Sequence, residues 1–287
     1  MTERPMYFGP DQNLFGILTS PERPLAGAPA VVLLNAGLLH RVGPNRLNVT
    51  LARHLAGIGI PAFRFDLSGI GDSGLGEGEV GIDRARRDAA AAMDEVHRAT
   101  GIDRFVLVGL CTGAFNAFRV ALVDERVTGC VLIDGYGYPT ARSRLRHYRS
   151  RILDPERWAG FVRRRLGRED QVGGAGGTDL VVYETEVVPK ERFGAELASL
   201  VERDVALMMV YTEFGPLPVN YQAQLRDAFP DVDLDRCVDV VWYPQTDHTF
   251  TLPGNRRRLV DDIETWLTRL VARQAATARS AGEGGRA

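Results

Sequence analysis

Two residues of this chain combine a reactive side chain with a setting suited to covalent chemistry. Cys111 is the centre of Gly109-Leu110-Cys111-Thr112-Gly113. The run before it, "RFVLVGL", reads as a buried strand, and "TGAFNAFRVALVD" after it reads as a helix. A tight turn of this kind lifts its central side chain above the sheet edge, and the flanking glycines keep neighbours away from it. The backbone N–H of Thr112 and the helix N-terminus then face any developing oxyanion. The same helix end lowers a thiol pKa. With 31 glycines in 287 residues, G-x-C-x-G alone also fits an inert cysteine in a Gly-rich chain. The strand–turn–helix setting favours the reactive one.

The second residue is His248, in "YPQTDHTF". It follows the last strand pattern and precedes the last helix. A loop leaving the C-terminal edge of that strand reaches the same sheet edge as Cys111, so His248 is the natural general base. The other histidines are placed differently. His54 and His97 fall within helical patterns as surface residues, His147 lies in an Arg-rich stretch, and His40 follows the strand "AVVLLN". Cys130 and Cys237 sit on apolar strand patterns and read as inert core thiols. Three widely spaced cysteines make no disulfide framework, and no C-x-x-C pair suggests zinc.

The elements that must position this pair alternate along the chain. Residues 6–19 read as a hairpin turning at "PDQN". "AVVLLN" is a continuous apolar run, the pattern of a parallel strand buried on both faces. Pro44 suits a first helical turn, and Leu47, Leu51 and Leu55 repeat every four residues. "PAFRFD" (strand), "IDRARRDAAAAMDEVHRATG" (helix) and "VTGCVLIDG" (strand) continue the rhythm. Strands alternating with amphipathic helices imply right-handed βαβ units. The rhythm breaks at Tyr136 and resumes after "GGAGGT" with "KERFGAELASLVERD", "VALMMVYT", a helix over 221–229, "CVDVVWY" and a helix over 256–273. The expected organisation is one α/β core, residues 1–135 and 178–274. A cap or lid insertion, residues 136–177, interrupts it, and a frayed tail, residues 275–287, follows it.

Composition excludes several function classes. The net charge is −2, with 45% hydrophobic and 25% charged residues, ordinary values for a globular protein. Near-neutral charge gives no case for nucleic acid or membrane partners. "MTERPMYFGP" lacks the apolar run of a signal peptide, and no stretch approaches the roughly 20 apolar residues that span a bilayer. A soluble, cytoplasmic protein is expected, with no metal and no cofactor.

In order and spacing, four motifs resemble the α/β-hydrolase family: "LLNAGLLHR", "FDLSGIGDS", "GLCTGA" and "TDHTF". The resemblance runs from about Phe15 to Arg273. It implies an eight-stranded, mostly parallel sheet with helices on both faces and a cap inserted after the sixth strand. "LLNAGLLHR" then corresponds to the oxyanion loop, whose N–H donor falls at Gly37 or Leu38. Asn35-Ala36 stands where the family often has His-Gly. His40, Arg41 and Arg46, next to this loop, come near the site mouth, either to hold a substrate anion or to solvate the loop. Asp66, Gly69, Gly71 and Ser73 form a structural turn. The family places its acid after the seventh strand, which points to Glu213, or after the sixth, which points to Asp134; Glu213 ranks first. Asp247 is too near His248 along the chain to orient it.

A cysteine nucleophile changes the expected chemistry. A serine ester lies well below a thioester substrate in energy, whereas a cysteine thioester lies level with it. Attack by Cys111 on an acyl thioester is then a reversible exchange that keeps the acyl group activated, and water exclusion decides between transfer and hydrolysis. Relatives with cysteine at this elbow include dienelactone hydrolases, polyhydroxyalkanoate synthases and aminoacyl-shuttling acyltransferases. The expectation is an acyl-cysteine enzyme, thioesterase- or acyltransferase-like, acting on a small-molecule acyl substrate; coenzyme A and carrier-protein thioesters are candidate donors. A carboxylesterase or dienelactone-type lactone hydrolase is the alternative, and a non-catalytic binding protein on the same fold is a third. The arginines from Arg142 to Arg168 suit either an acidic carrier or a solvated lid helix.

Overall fold

The computed structural model describes residues 1–75, 82–152 and 188–284. The hairpin comes first, as β1 (Thr2–Phe8) and β2 (Leu14–Ser20), paired antiparallel. Then follow β3 (Ala30–Leu33), α1 (Leu47–Gly57), β4 (Ala62–Phe65), α2 (Ile82–Thr100), β5 (Phe105–Leu110), α3 (Thr112–Ala121) and β6 (Val127–Ile133). After β6 come α4 (Ala141–Ile152), α5 (Lys190–Glu202), β7 (Ala206–Phe214), α6 (Gln224–Ala228), β8 (Val238–Asp247) and α7 (Pro253–Gly284). The eight strands form one sheet in the order β1-β2-β4-β3-β5-β6-β7-β8. From β4 through β8 every neighbouring pair is parallel, while β2 runs antiparallel to both β1 and β4.

The apolar runs explain the layers. Every side chain of β3 and β5 is buried, as expected of central parallel strands. Successive residues point to opposite faces. Phe105 and Leu107 join Phe118, Ala89, Met93 and Phe193 on the face covered by α2, α3 and α5. Val106 and Val108 join Leu51, Leu55, Ile263 and Trp266 on the face covered by α1 and α7. Burying each such Leu or Phe contributes about 1.5–3 kcal/mol.

Two boundaries differ from the sequence reading. The final helix does not stop near Arg273 but continues to Gly284, through "QAATARSA", a segment rich in the strong helix former alanine. Within the expected insertion, residues 141–152 form α4, while 153–187 lie outside the described residues. The start of α4 is clamped to the segment after β7. Arg142 and Arg146 lie 4.7 and 5.2 Å from the Tyr221 ring centre, and Thr140 Oγ1 is 2.8 Å from the Tyr221 hydroxyl. Asn220 Nδ2 donates to the Ser143 carbonyl at 2.9 Å. No described helix is long and apolar enough to cross a membrane.

Candidate active site

The elbow is built by close backbone approach. A Cβ on Gly109 would lie 2.1 Å from the Gly113 carbonyl carbon, and one on Gly113 would lie 2.5 Å from the Asn35 carbonyl oxygen. Only glycine at both positions lets β5 turn this sharply into α3. Cys111 takes the strain, at φ +56° and ψ −119°. Its N–H still donates to the Ile133 carbonyl at 2.9 Å, so the β5–β6 ladder runs on to Cys111.

The neighbouring strand ends complete the arrangement. Asp134 directly follows β6, holds φ +47°, and donates its N–H to the Val210 carbonyl of β7 at 2.9 Å. Its carboxylate is almost wholly buried. Three donors satisfy it: the Thr212 N–H at 2.9 Å, the Thr212 hydroxyl at 2.5 Å and His248 Nδ1 at 2.8 Å. β7 and β8 run on together beyond the end of β6, pairing Phe214 with Asp247, and this carries the next residue, His248, to the sheet edge beside Asp134. With Nδ1 committed to Asp134, Nε2 is the ring nitrogen left for Cys111, whose thiol feels His248 as its largest influence.

The electrostatics follow from these contacts. The hydrogen bond from His248 is the main influence holding the Cys111 thiol below its ordinary range; burial opposes it, and a hydrogen bond from the Thr112 N–H assists. For His248 burial favours the neutral ring, but the hydrogen bonds to Asp134 and Cys111 and their charges outweigh it and raise the imidazole to about 9. Thiolate and imidazolium therefore stabilise each other. Cys130 and Cys237 behave oppositely, since burial raises both thiols.

Several expected site residues sit elsewhere. Glu213 ranks first in the sequence as the acid, yet it does not face His248. Thr212 points into the site, so Glu213, the next residue of the same strand, points away; it is exposed and accepts the Gln245 N–H at 2.7 Å. Asp134, ranked second, holds the histidine. Arg41 turns inward, away from any substrate anion. It pairs with the fully buried Asp66, lies 2.6 Å from Asp72, and its guanidinium carbon sits 4.4 Å from the Phe15 ring centre. Arg46 is exposed, and exposed His40 accepts the Val42 N–H at 3.3 Å through Nδ1. Of the two candidate oxyanion-loop amides, Gly37 N–H donates to Thr112 Oγ1 at 2.5 Å, whereas Leu38 N–H has no acceptor among the described residues. The turn after β4 is structural as expected: Ser73 Oγ donates to the Asp66 carbonyl at 2.7 Å, and the Arg41 N–H donates to the Asp66 carboxylate at 2.5 Å.

Three positioning residues escaped the sequence reading. Thr212 anchors Asp134. Asn35 is buried; it donates to the Leu39 carbonyl at 2.8 Å and accepts the Leu67 N–H at 2.8 Å, which fixes the loop that precedes Leu38. Asp247 accepts from the N–H and hydroxyl of both Thr249 and Thr251. Burial works against ionisation there, but these bonds hold its carboxyl at about 2 and lock the turn after His248. The Thr-Asp-His-Thr-Phe-Thr run was the available signal, because Asp and Thr side chains bond nearby backbone in such turns.

Comparison with known proteins agrees with the topology. A family profile described as "alpha/beta hydrolase fold" matches residues 29–165. Est1E from Butyrivibrio proteoclasticus superposes with a TM-score of 0.60 at 14% identity, over 93% of this chain and 99% of that one. A monoacylglycerol lipase from Paleococcus ferrophilus gives 0.57 at 18% identity, over 90% and 99%. A serine hydrolase without lid from Xanthomonas campestris gives 0.52 at 18% identity, over 95% and 94%. No curated protein sequence matches the chain. The chain has the α/β-hydrolase fold, with Cys111 at the turn from β5 into α3 and His248 after β8.

Proposed function

We propose that this protein forms a covalent acyl-cysteine intermediate from an activated acyl compound, with Cys111 as nucleophile, His248 as general acid and base, and Asp134 as the acid that orients His248. The observation that carries the reading is the hydrogen bond from His248 to the buried carboxylate of Asp134 at the sheet edge that carries Cys111, whose thiol is lowered chiefly by the same histidine.

The chemistry follows in balanced steps. The Cys111 thiolate attacks the acyl carbon, and the carbonyl π pair moves to oxygen. The N–H groups of Thr112 and Leu38 are the backbone donors to that oxyanion. As the tetrahedral species collapses, the bond to the leaving sulfur or oxygen breaks and the proton on His248 passes to it. A second nucleophile then gives its proton to His248 as it attacks the thioester, which releases Cys111 as thiolate. Asp134 holds the ring with Nδ1 inward and stabilises the imidazolium. For a thioester donor the first half exchanges one sulfur for another, and the second nucleophile, water or an acceptor thiol, amine or alcohol, decides between the thioesterase- and acyltransferase-like outcomes of this shared intermediate.

A second reading is oxyester or lactone hydrolysis through the same residues, and the monoacylglycerol lipase among the similar structures favours it. Intact-mass measurement after mixing the protein with acyl thioesters and with oxyesters tests both. A mass increase equal to the acyl group in the wild type, absent in Cys111→Ala, is expected with thioesters. An adduct retained by Cys111→Ala, or none with any donor, sinks the proposal. Turnover of oxyesters alone selects the second reading.

A further inference from the structure

The Thr112 hydroxyl lies between the two halves of the site. Its oxygen accepts the Gly37 N–H at 2.5 Å, which ties the loop after β3 to the first residue of α3. The same residue directly follows Cys111, and its N–H is one of the influences that lower the thiol. A threonine hydroxyl has a proton to give as well as lone pairs to receive. Among the described residues nothing accepts that proton, and the side chain is half-buried. The Gly37 amide is thus already spent on Thr112, so the dipole it carries reaches a substrate only through this hydroxyl.

We propose that the Thr112 hydroxyl is a side-chain donor of the oxyanion hole, polarised from behind by the Gly37 N–H. The inference rests on the acyl-cysteine reading and adds a donor to it. As sulfur adds to the acyl carbon, the carbonyl oxygen gains the π pair, and the Thr112 O–H donates a hydrogen bond to it. The proton stays on Thr112 throughout, and when the carbonyl re-forms the bond weakens again. A chain of amide, hydroxyl and oxyanion strengthens each link by mutual polarisation. Two heavy atoms on the threonine Cβ stiffen χ1, which keeps the hydroxyl aimed without cost at the moment of reaction.

The test compares wild type, Thr112→Val and Thr112→Ser in two reactions of Cys111. One is acylation by the N-acetylcysteamine thioester of a short fatty acid, followed by rapid-quench intact mass. The other is alkylation by iodoacetamide, which reports thiolate reactivity and builds no oxyanion at the attacked carbon. Thr112→Val is expected to slow acylation by about 100-fold, the usual effect of losing one oxyanion donor, and to leave alkylation unchanged. Thr112→Ser is expected to restore acylation to within a few-fold of wild type. Acylation of Thr112→Val at the wild-type rate overturns the inference. So does a parallel loss of acylation and alkylation, which assigns the hydroxyl to seating the elbow, and so does a Thr112→Ser variant as slow as Thr112→Val. A wild-type protein that is alkylated but never acylated removes the acyl-cysteine reading itself, a result distinct from all of these.

Discussion

Asp134 Oδ2 lies 2.8 Å from Nδ1 of His248 and takes the Thr212 hydroxyl at 2.5 Å, so a single buried oxygen fixes the ring and is itself fixed. That arrangement separates the two candidate carboxylates. Asp134→Asn keeps the shape but removes the charge that stabilises the imidazolium, and acylation of Cys111 is expected to fall by about 100-fold or more, within the range of lost acid–base assistance. Glu213→Gln alters an exposed group bonded to the Gln245 backbone, and acylation should stay within about twofold of wild type, a variant with no site role having little to lose. Rapid-quench mass spectrometry on both variants decides it; equal losses overturn the assignment.

The pH dependence has a definite sign. Cys111 is held below its ordinary range chiefly by the hydrogen bond from His248, with burial working the other way. Alkylation by iodoacetamide should therefore reach half its maximal rate at a pH below the range of an ordinary thiol. In His248→Ala the lowering influence goes and the burial remains, so the midpoint must move up. Steady-state acyl transfer should also decline as pH rises through about 9, where His248 loses the proton that the leaving group needs. A midpoint that is the same in both proteins contradicts the influence of His248 on the thiol.

Gly109 offers a test of the elbow itself. Gly109→Ala places a Cβ 2.1 Å from the Gly113 carbonyl carbon, against backbone that cannot yield without moving α3 off β5. Forced overpacking typically costs 1–3 kcal/mol, occasionally more. Thermal unfolding should shift down by several degrees, and Cys111 should lose its fast alkylation at neutral pH. An unchanged melting temperature contradicts the close approach.

What was legible in the sequence is what local patterning dictates. Continuous apolar runs at 30–35 and 105–110 identify central parallel strands, and the Gly109–Gly113 spacing identifies the elbow, because both depend on residues adjacent in the chain. His248 is legible because strand order alone brings its loop to the edge where Cys111 sits. The proposed acid is not legible in this way. Choosing between Glu213 and Asp134 needs the pleat phase of β7, and a shift of one residue exchanges Thr212 and Glu213 between the site and the solvent. Arg41 fails for a similar reason: its place next to the oxyanion loop is local, whereas its pairing with Asp66 spans two strands and depends on a buried charge that needs a partner.

Arg41 and Arg46 carry the last contrast. Both stand in "HRVGPNR" and read alike in the sequence. The Asp66 carboxylate is fully buried, and Arg41 is the cation paired with it. Arg41→Ala leaves that carboxylate with its backbone donors and Asn35 but without a counter-charge, and removing one partner of a buried pair costs about 3–5 kcal/mol. Arg46 is exposed, and although its φ is +62°, Arg46→Ala exchanges one L side chain for another at that backbone, so the change should stay within about 0.5 kcal/mol. Urea unfolding of the two alanine variants should therefore give a large loss for Arg41 and almost none for Arg46. If Arg41→Ala instead keeps full stability and raises only the substrate concentration needed for half-maximal rate, Arg41 is a substrate anchor after all and its inward pairing is secondary.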